Sequence, residues 1–144
     1  MDPDPEVFAA VFGQLGTISA VIGGFAFAAT SELVGSGPDL RGRPAGVTAG
    51  LAAASAASVI ICALGWSFAS VQATGLEATG QPVPAATLLL HARLSLLFIF
   101  GLLLLFGSLG VSGWIRSRQL GMVTTVIAIV SGVAALLVVQ LFMV

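Results

Sequence analysis

Charged residues are few along this chain, and they leave four long apolar stretches between them. The stretches cover residues 7–31, 44–76, 94–115 and 119–144. A hydrocarbon core of about 30 Å is crossed by roughly 20 apolar residues in helical form, so each stretch is long enough to span a membrane. The pattern predicts an all-α, polytopic membrane protein with helices at about residues 7–33, 47–73, 86–114 and 119–143, forming one domain over residues 1–144.

The segments between the stretches carry the glycines, prolines and polar residues typical of loops. They lie at residues 35–39, 75–84 and 116–118. The residues before the first stretch are acidic and the stretch itself is long, which argues against a cleavable signal peptide. We therefore expect a retained first helix and a multi-pass protein of the cell membrane.

The composition supports the same interpretation and limits the available chemistry. Hydrophobic residues make up 58% of the chain and charged residues 8%, whereas about a quarter of the residues in a soluble domain are charged. Cys62 and His91 are the only residues of their kinds, which excludes an intrachain disulfide or a cysteine zinc site. We expect Cys62 to be a small buried side chain of helix two, and His91 to be an interfacial residue beside Arg93.

Groups for catalysis are scarce as well. Outside the N-terminal segment the acidic residues are Glu32, Asp39 and Glu77, all at span ends or in loops. No carboxylate pair, nucleophile and base, or phosphate-binding glycine loop is visible in the sequence. Neither an enzyme, a bound cofactor nor a nucleic-acid partner is expected, and the lipid bilayer is the expected environment.

Helix one carries a regular set of residues that we call the polar-ended stripe. Its members are spaced 3, 4, 4, 3 and 4 residues apart and so share one helical face: Gln14, Thr17, Val21, Phe25, Ala28 and Glu32. The two polar ends are five turns, or about 27 Å, apart. A neighbouring face of small residues is predicted to pack on another helix: Gly13, Gly16, Ala20, Gly23, Gly24 and Phe27.

The stripe has two interpretations. It can line a pore shared among subunits. Alternatively, Glu32 ends the span and reaches the lipid headgroups while Gln14 forms hydrogen bonds within the bundle. Taken by itself, the spacing favours the second interpretation, because ionisable residues near span ends are common.

A resemblance to a known family bears on this choice. Gly24-Phe25-Ala26 is followed six residues after Ala26 by Glu32. This segment resembles the first transmembrane helix of the Orai calcium channels, in which Gly-Phe-Ala precedes the filter glutamate at the same interval. Later segments are similar to the third and fourth helices of that family: Gly113-Trp114-Ile115-Arg116, Thr124-Thr125-Val126-Ile127 and residues 138–142.

The resemblance implies a homo-oligomeric channel, hexameric as in that family, with Ca²⁺ as the permeating ion. Helix one would line a central pore, helices two and three would surround it, and helix four would face lipid. Glu32 would form the selectivity filter and Gly24 a hinge. The pore lining implied by the resemblance comprises Ala28, Phe25, Val21, Thr17 and, at the far end of the stripe, Gln14.

Several residues depart from the family pattern. Thr17 stands where the family has an inner basic residue, and no Lys or Arg precedes Arg41. The resemblance implies a hydrophobic constriction of the pore at Phe25 and Ala28, and Ala28 is smaller than the valine expected there. The cytosolic helix through which the animal channels engage their activator has no counterpart after Val144, so no store-sensing partner is expected.

The orientation and the function class have open alternatives. Arginines occur in the first and third loops, at residues 41, 43, 116 and 118, and the positive-inside rule places these loops in the cytoplasm. The resemblance instead places both termini inside and Glu32 at the outer mouth. The alternative to a channel is a small structural or accessory membrane subunit, or a transporter without a pore.

Overall fold

The computed structural model describes residues 4–35, 43–115 and 117–143, with side chains over 4–32, 45–115 and 117–137. Its α-helices are α1 (Pro5–Gly35), α2 (Arg43–Thr79), α3 (Ala85–Ser112) and α4 (Arg118–Met143), with a short 3-10 helix at Gly113–Ile115. Each of the four α-helices is long and apolar enough to cross a membrane. This confirms the prediction of an all-α fold with four helices that could each span a membrane. The predicted loop residues 36–39, together with Arg41 and Arg116, lie outside the described residues.

The four helices pack in the order of the chain, α1 on α2, α2 on α3 and α3 on α4. Neighbours are antiparallel: Gly13 of α1 lies opposite Ser70 of α2, and Gly23 lies opposite Ile60. The helices α1 and α4 therefore stand at the two edges of a row. Glu32 shares one end of the bundle with the α3–α4 connection, and the chain N-terminus shares the other end with the α2–α3 connection.

Two helix starts have side-chain caps that follow directly from the sequence. Asp4 precedes Pro5, and its Oδ1 accepts the N–H of Glu6 at 3.1 Å. At the start of α4, the Ser117 hydroxyl oxygen accepts the N–H of Leu120 at 3.1 Å. Such caps satisfy backbone donors that have no partner within the first helical turn, so both helices begin at defined residues.

The end of α2 differs from the prediction. Helices α1, α3 and α4 begin and end within two residues of their predicted bounds, whereas α2 continues six residues beyond residue 73. Gly75 stays helical, and the helix ends only at Gly80, which has a φ of 65°. The Gln81 N–H then donates to the Leu76 carbonyl at 3.0 Å. Gly80 ends the helix because its backbone is left-handed. Gly75 keeps a helical backbone, so the helix continues through it.

The core lies where α1, α2 and α3 meet. Phe12 from α1, Cys62 and Trp66 from α2, and Leu94 from α3 form its centre. Cys62 is fully buried, and its thiol donates to the Leu94 carbonyl at 3.3 Å. The expectation of a small buried cysteine is thus confirmed.

Candidate functional site

The polar-ended stripe is exposed along the whole of α1. Val21 is 55% exposed and Phe25 is 72% exposed, and Gln14, Thr17, Ala28 and Glu32 are exposed too. Helix α1 is unbroken from Pro5 to Gly35. The stripe is therefore a continuous surface about 27 Å long, and the rest of the described chain does not cover it.

The opposite face of α1 is buried. At 100° per residue, its members point roughly 180° away from the stripe: Phe12, Gly16, Ser19, Gly23 and Ala26. The helix thus has one face committed to the fold of its own chain. Its reverse face, which carries the polar ends, is left for another molecule or for lipid.

Close contacts with α2 determine which way α1 faces. A Cβ atom placed on Gly16 would lie 3.0 Å from Ser67 Oγ and 3.4 Å from the Ala63 carbonyl oxygen. The Ser70 hydroxyl donates to the carbonyl of Ala9 at 2.8 Å. Because the backbones approach this closely, α1 cannot rotate without collision, and the stripe is held pointing away from α2.

The predicted packing face of α1 was wrong in half of its members. Gly13, Gly16 and Gly23 do lie against α2, but Ala20, Gly24 and Phe27 are exposed. The reason is Phe12, a large side chain that is fully buried in the core. Its burial turns α1 toward the Phe12 side by roughly 70° relative to the face that small residues alone suggested.

The structure shows the local surroundings of two residues to which the resemblance assigns a role. Thr17 donates its hydroxyl to the Gly13 carbonyl at 3.0 Å, so this polar side chain is satisfied within its own helix. Gly24 has no heavy atom within 4 Å of the position its Cβ would take. Its backbone is helical, and the hinge at Gly24 stays a prediction.

His91 lies in a different environment from the one expected. It is half-buried, and its Nδ1 accepts the Trp66 indole N–H at 3.2 Å. Its ring centroid is 5.2 Å from that of Phe12. The sequence did not indicate these contacts, because the two partners come from other helices, and the interfacial position of His91 stays a prediction. In the neutral imidazole this bond leaves the proton on Nε2.

Charged groups whose side chains are described lie toward both ends of the bundle. Glu32 and Arg118 lie at one end, while Asp4, Glu6, Glu77 and Arg93 lie toward the other. The antiparallel order thus places the end of α1 and the start of α2 at the same end of the bundle as the start of α4. Within the described part of a single chain, no three His, Cys, Asp or Glu side chains lie close enough to share a metal ion.

Comparisons of the chain with protein-family models, with curated proteins and with solved structures found no match. The likeness to the Orai channels stays a hypothesis from the sequence. It rests on the Gly24-Phe25-Ala26 segment and its interval to Glu32.

Proposed function

We propose that this chain forms a homo-oligomeric cation channel, in which α1 helices from several copies surround a pore and a ring of Glu32 carboxylates selects Ca²⁺. One observation carries the proposal. The stripe from Gln14 to Glu32 is exposed along its full length and lies opposite the face by which α1 packs on α2. A symmetric ring of copies would cover this surface and turn its polar ends toward an aqueous path.

The depth of the polar residues supports an aqueous path rather than lipid. Helix α1 has its midpoint at Ala20, so Gln14 lies about 9 Å from the middle of the helix. This is within a hydrocarbon core about 30 Å thick. An amide at that depth is costly in lipid and is usually placed toward a bundle interior or water. Glu32 lies about 18 Å from the midpoint, at the level of a pore mouth.

The packing order of the helices also suits this assembly. Since α1 stands at one edge of the row and α4 at the other, copies can meet through α1 while α4 remains outermost. Beyond its first turn, the exposed side chains of α4 are apolar, as a lipid-facing helix requires, and they include Val126, Ile127, Ile129, Val130 and Val133. The proposed assembly therefore needs no rearrangement of the single chain.

The chemistry of Ca²⁺ explains why a ring is required. The ion takes about 6–8 oxygen ligands at 2.3–2.6 Å, or retains water in their place. One Glu32 per chain cannot supply this coordination, but a ring concentrates several carboxylates on the axis. Their mutual repulsion favours a bound divalent ion over Na⁺ or K⁺, and a second arriving ion weakens the hold on the first.

Farther along the stripe, the side chains are apolar. Phe25, Ala28 and Val21 would form a narrow section that resists wetting when the channel is closed. The helix is exposed on this side at Gly24, and no neighbour within its own chain approaches the Cβ position of that residue. Gly24 therefore makes no side-chain contact that would oppose a bend of α1 directed away from α2.

The test is Ca²⁺ flux into liposomes that contain the purified chain. Glu32→Gln retains the shape of the side chain and removes its charge, so we expect loss of Ca²⁺ flux or the appearance of monovalent current. The matched control is Glu77→Gln, which removes an exposed carboxylate at the opposite end of the bundle and should leave Ca²⁺ flux unchanged.

Two results would contradict the proposal. If Ca²⁺ selectivity survives in Glu32→Gln, Glu32 does not form the selectivity filter. A chain that stays monomeric in mild detergent would exclude the pore, because one stripe cannot enclose an aqueous path. The second result would favour the accessory-subunit alternative, in which the stripe contacts lipid or a different membrane protein.

A further inference from the structure

An apolar groove runs between α3 and α4 on the side of the molecule away from α1. Its volume is about 360 Å³. The wall is apolar apart from one threonine, and three of its residues are glycines that leave backbone in place of side chains: Phe106, Gly107, Gly110, Thr125, Ala128 and Gly132. A ligand in this groove would bind whether or not the chain forms a channel.

The shape of the groove follows from unequal contacts along the two helices. A Cβ on Gly110 would lie 3.3 Å from Ala128 Cβ, so the helices touch there. A Cβ on Gly132 would meet only Phe106, at 3.7 Å, and one on Gly107 only Leu51, at 3.7 Å. The groove is thus a space beside a firm helix contact. It stays open because glycines stand where larger side chains would fill it.

The groove is about as long as half of a hydrocarbon core is thick. Along α4 its lining extends from Thr125 to Leu136, and eleven residues of α-helix measure about 16 Å. Half of a hydrocarbon core is about 15 Å thick. Both helices are long and apolar enough to cross a membrane, so the medium that meets the groove is lipid chain.

Polar groups stand at the end of the groove nearest the α3–α4 connection. Arg118, Thr125 and Gly132 are spaced by seven residues and share one face of α4. Arg118 is exposed and lies about 10 Å beyond Thr125 along the axis, at the first residue of the segment of α4 that is long and apolar enough to cross a membrane. The indole N–H of Trp114 donates to Thr125 Oγ1 at 3.0 Å, so this half-exposed tryptophan lies at the level of Thr125, at the end of the groove nearest Arg118.

We propose that the groove binds one acyl chain of an anionic phospholipid whose phosphate pairs with Arg118. The charge decides the occupant, because a guanidinium at headgroup level on the groove face attracts phosphate and favours lipids with net negative charge. The apolar wall of the groove contacts the acyl chain of the same lipid. A second copy of the protein would instead have to bring an anion to Arg118 while covering Trp114.

The experiment uses phospholipids with brominated acyl chains, which quench tryptophan fluorescence on contact. The chain has two tryptophans. Trp66 is 1% exposed and Trp114 is 45% exposed, so quenching reports on Trp114. With the full chain in liposomes, we expect brominated phosphatidylglycerol to bind about fivefold more tightly at this site than brominated phosphatidylcholine.

Two variants with matched controls test the two parts of the site. Arg118→Gln should abolish the preference for phosphatidylglycerol, whereas Arg93→Gln, which removes the same charge toward the other end, should retain it. Gly132→Leu should fill the groove and reduce quenching by both lipids. Gly50→Leu adds the same side chain to α2, where nothing lies within 4 Å of the Cβ position, and should leave quenching unchanged.

Equal binding of the two lipids to the wild-type chain would overturn the proposal. So would a preference that persists in Arg118→Gln, whose exposed side chain can be changed without affecting the fold. A Trp114 that neither lipid quenches would show that another copy covers the groove, which also overturns the proposal. Loss of Ca²⁺ flux in any of these variants has no bearing on this result.

Discussion

The contact of α1 with α2 and the contact of α3 with α4 both depend on glycine, yet they differ in what fills the space. Gly16 of α1 lies so close to α2 that a Cβ would be 3.0 Å from Ser67 Oγ. Gly132 of α4 faces the groove, and its Cβ would meet only Phe106 at ordinary contact distance. The first contact is closed and the second is partly open.

Glycine content alone therefore does not identify a tight helix interface. In a membrane the helices gain little from hydrophobic burial against each other, because lipid is equally apolar, so packing and hydrogen bonds decide the association. Around α2 large side chains and polar bonds bring the helices together over most of their length. Between α3 and α4 the firm contact is local to Gly110 and the 3-10 turn, and a groove remains beside it.

We expect the largest loss of stability when the buried Trp66 is removed, and a smaller loss when Trp114 is removed. Trp66→Ala removes the buried ring that joins Phe98 and His91 in the core, and we expect a loss of about 3 kcal/mol in the free energy of unfolding. Trp114→Ala, at the α3–α4 contact, should cost less because that ring is 45% exposed. Unfolding in mixed micelles, followed by circular dichroism, measures both. Equal losses would contradict the assignment of the core to α1, α2 and α3.

A second pair of variants tests the closed and open contacts directly. Gly16→Leu forces a side chain into the α1–α2 contact, and overpacking of this kind costs about 1–3 kcal/mol. Gly132→Leu enters the groove and should be neutral or stabilising by about 0.5–1 kcal/mol, since glycine is a poor helix former. The melting temperature in detergent should therefore fall for the first and not for the second. A similar fall in both would mean that the α3–α4 groove is closed.

We expect only a small loss of stability when a single hydrogen bond between α2 and α3 is removed. The buried Ser55 hydroxyl donates to the Gly101 carbonyl at 2.8 Å and joins α2 to α3. Ser55→Ala should cost about 0.6 kcal/mol, the average value for such bonds between transmembrane helices. Ser31→Ala, which removes a bond to the Phe27 carbonyl within α1, is the control and should cost less. Unfolding in mixed micelles resolves the two if each is measured against the wild-type chain.

Helix positions were largely predictable because they follow from local properties of the chain. Apolar length determines a span, and Asp4 and Ser117 cap helices through side chains next to the residues they serve. The error at the end of α2 came from treating Gly75 as a loop residue. Glycine ends a helix where it adopts positive φ, as Gly80 does, and sequence spacing did not distinguish the two.

The candidate site was predictable in part. The stripe of α1 is a matter of spacing alone, and its members do share one exposed face. The face that packs on α2 was predicted less well, because small residues were counted and the burial of Phe12 was not foreseen. The environment of His91 was missed altogether, since Trp66 and Phe12 reach it from two other helices.

The order of residues was enough to predict four helices long and apolar enough to span a membrane, a chain poor in catalytic groups, and a stripe with Gln14 and Glu32 at its ends. These conclusions depend on composition and on the 100° turn per residue, which are local quantities. The direction in which the stripe points, the partners of His91 and the groove at Gly132 depend on how helices approach one another. That approach is set by the volumes of side chains from different helices, and these meet only in the folded chain.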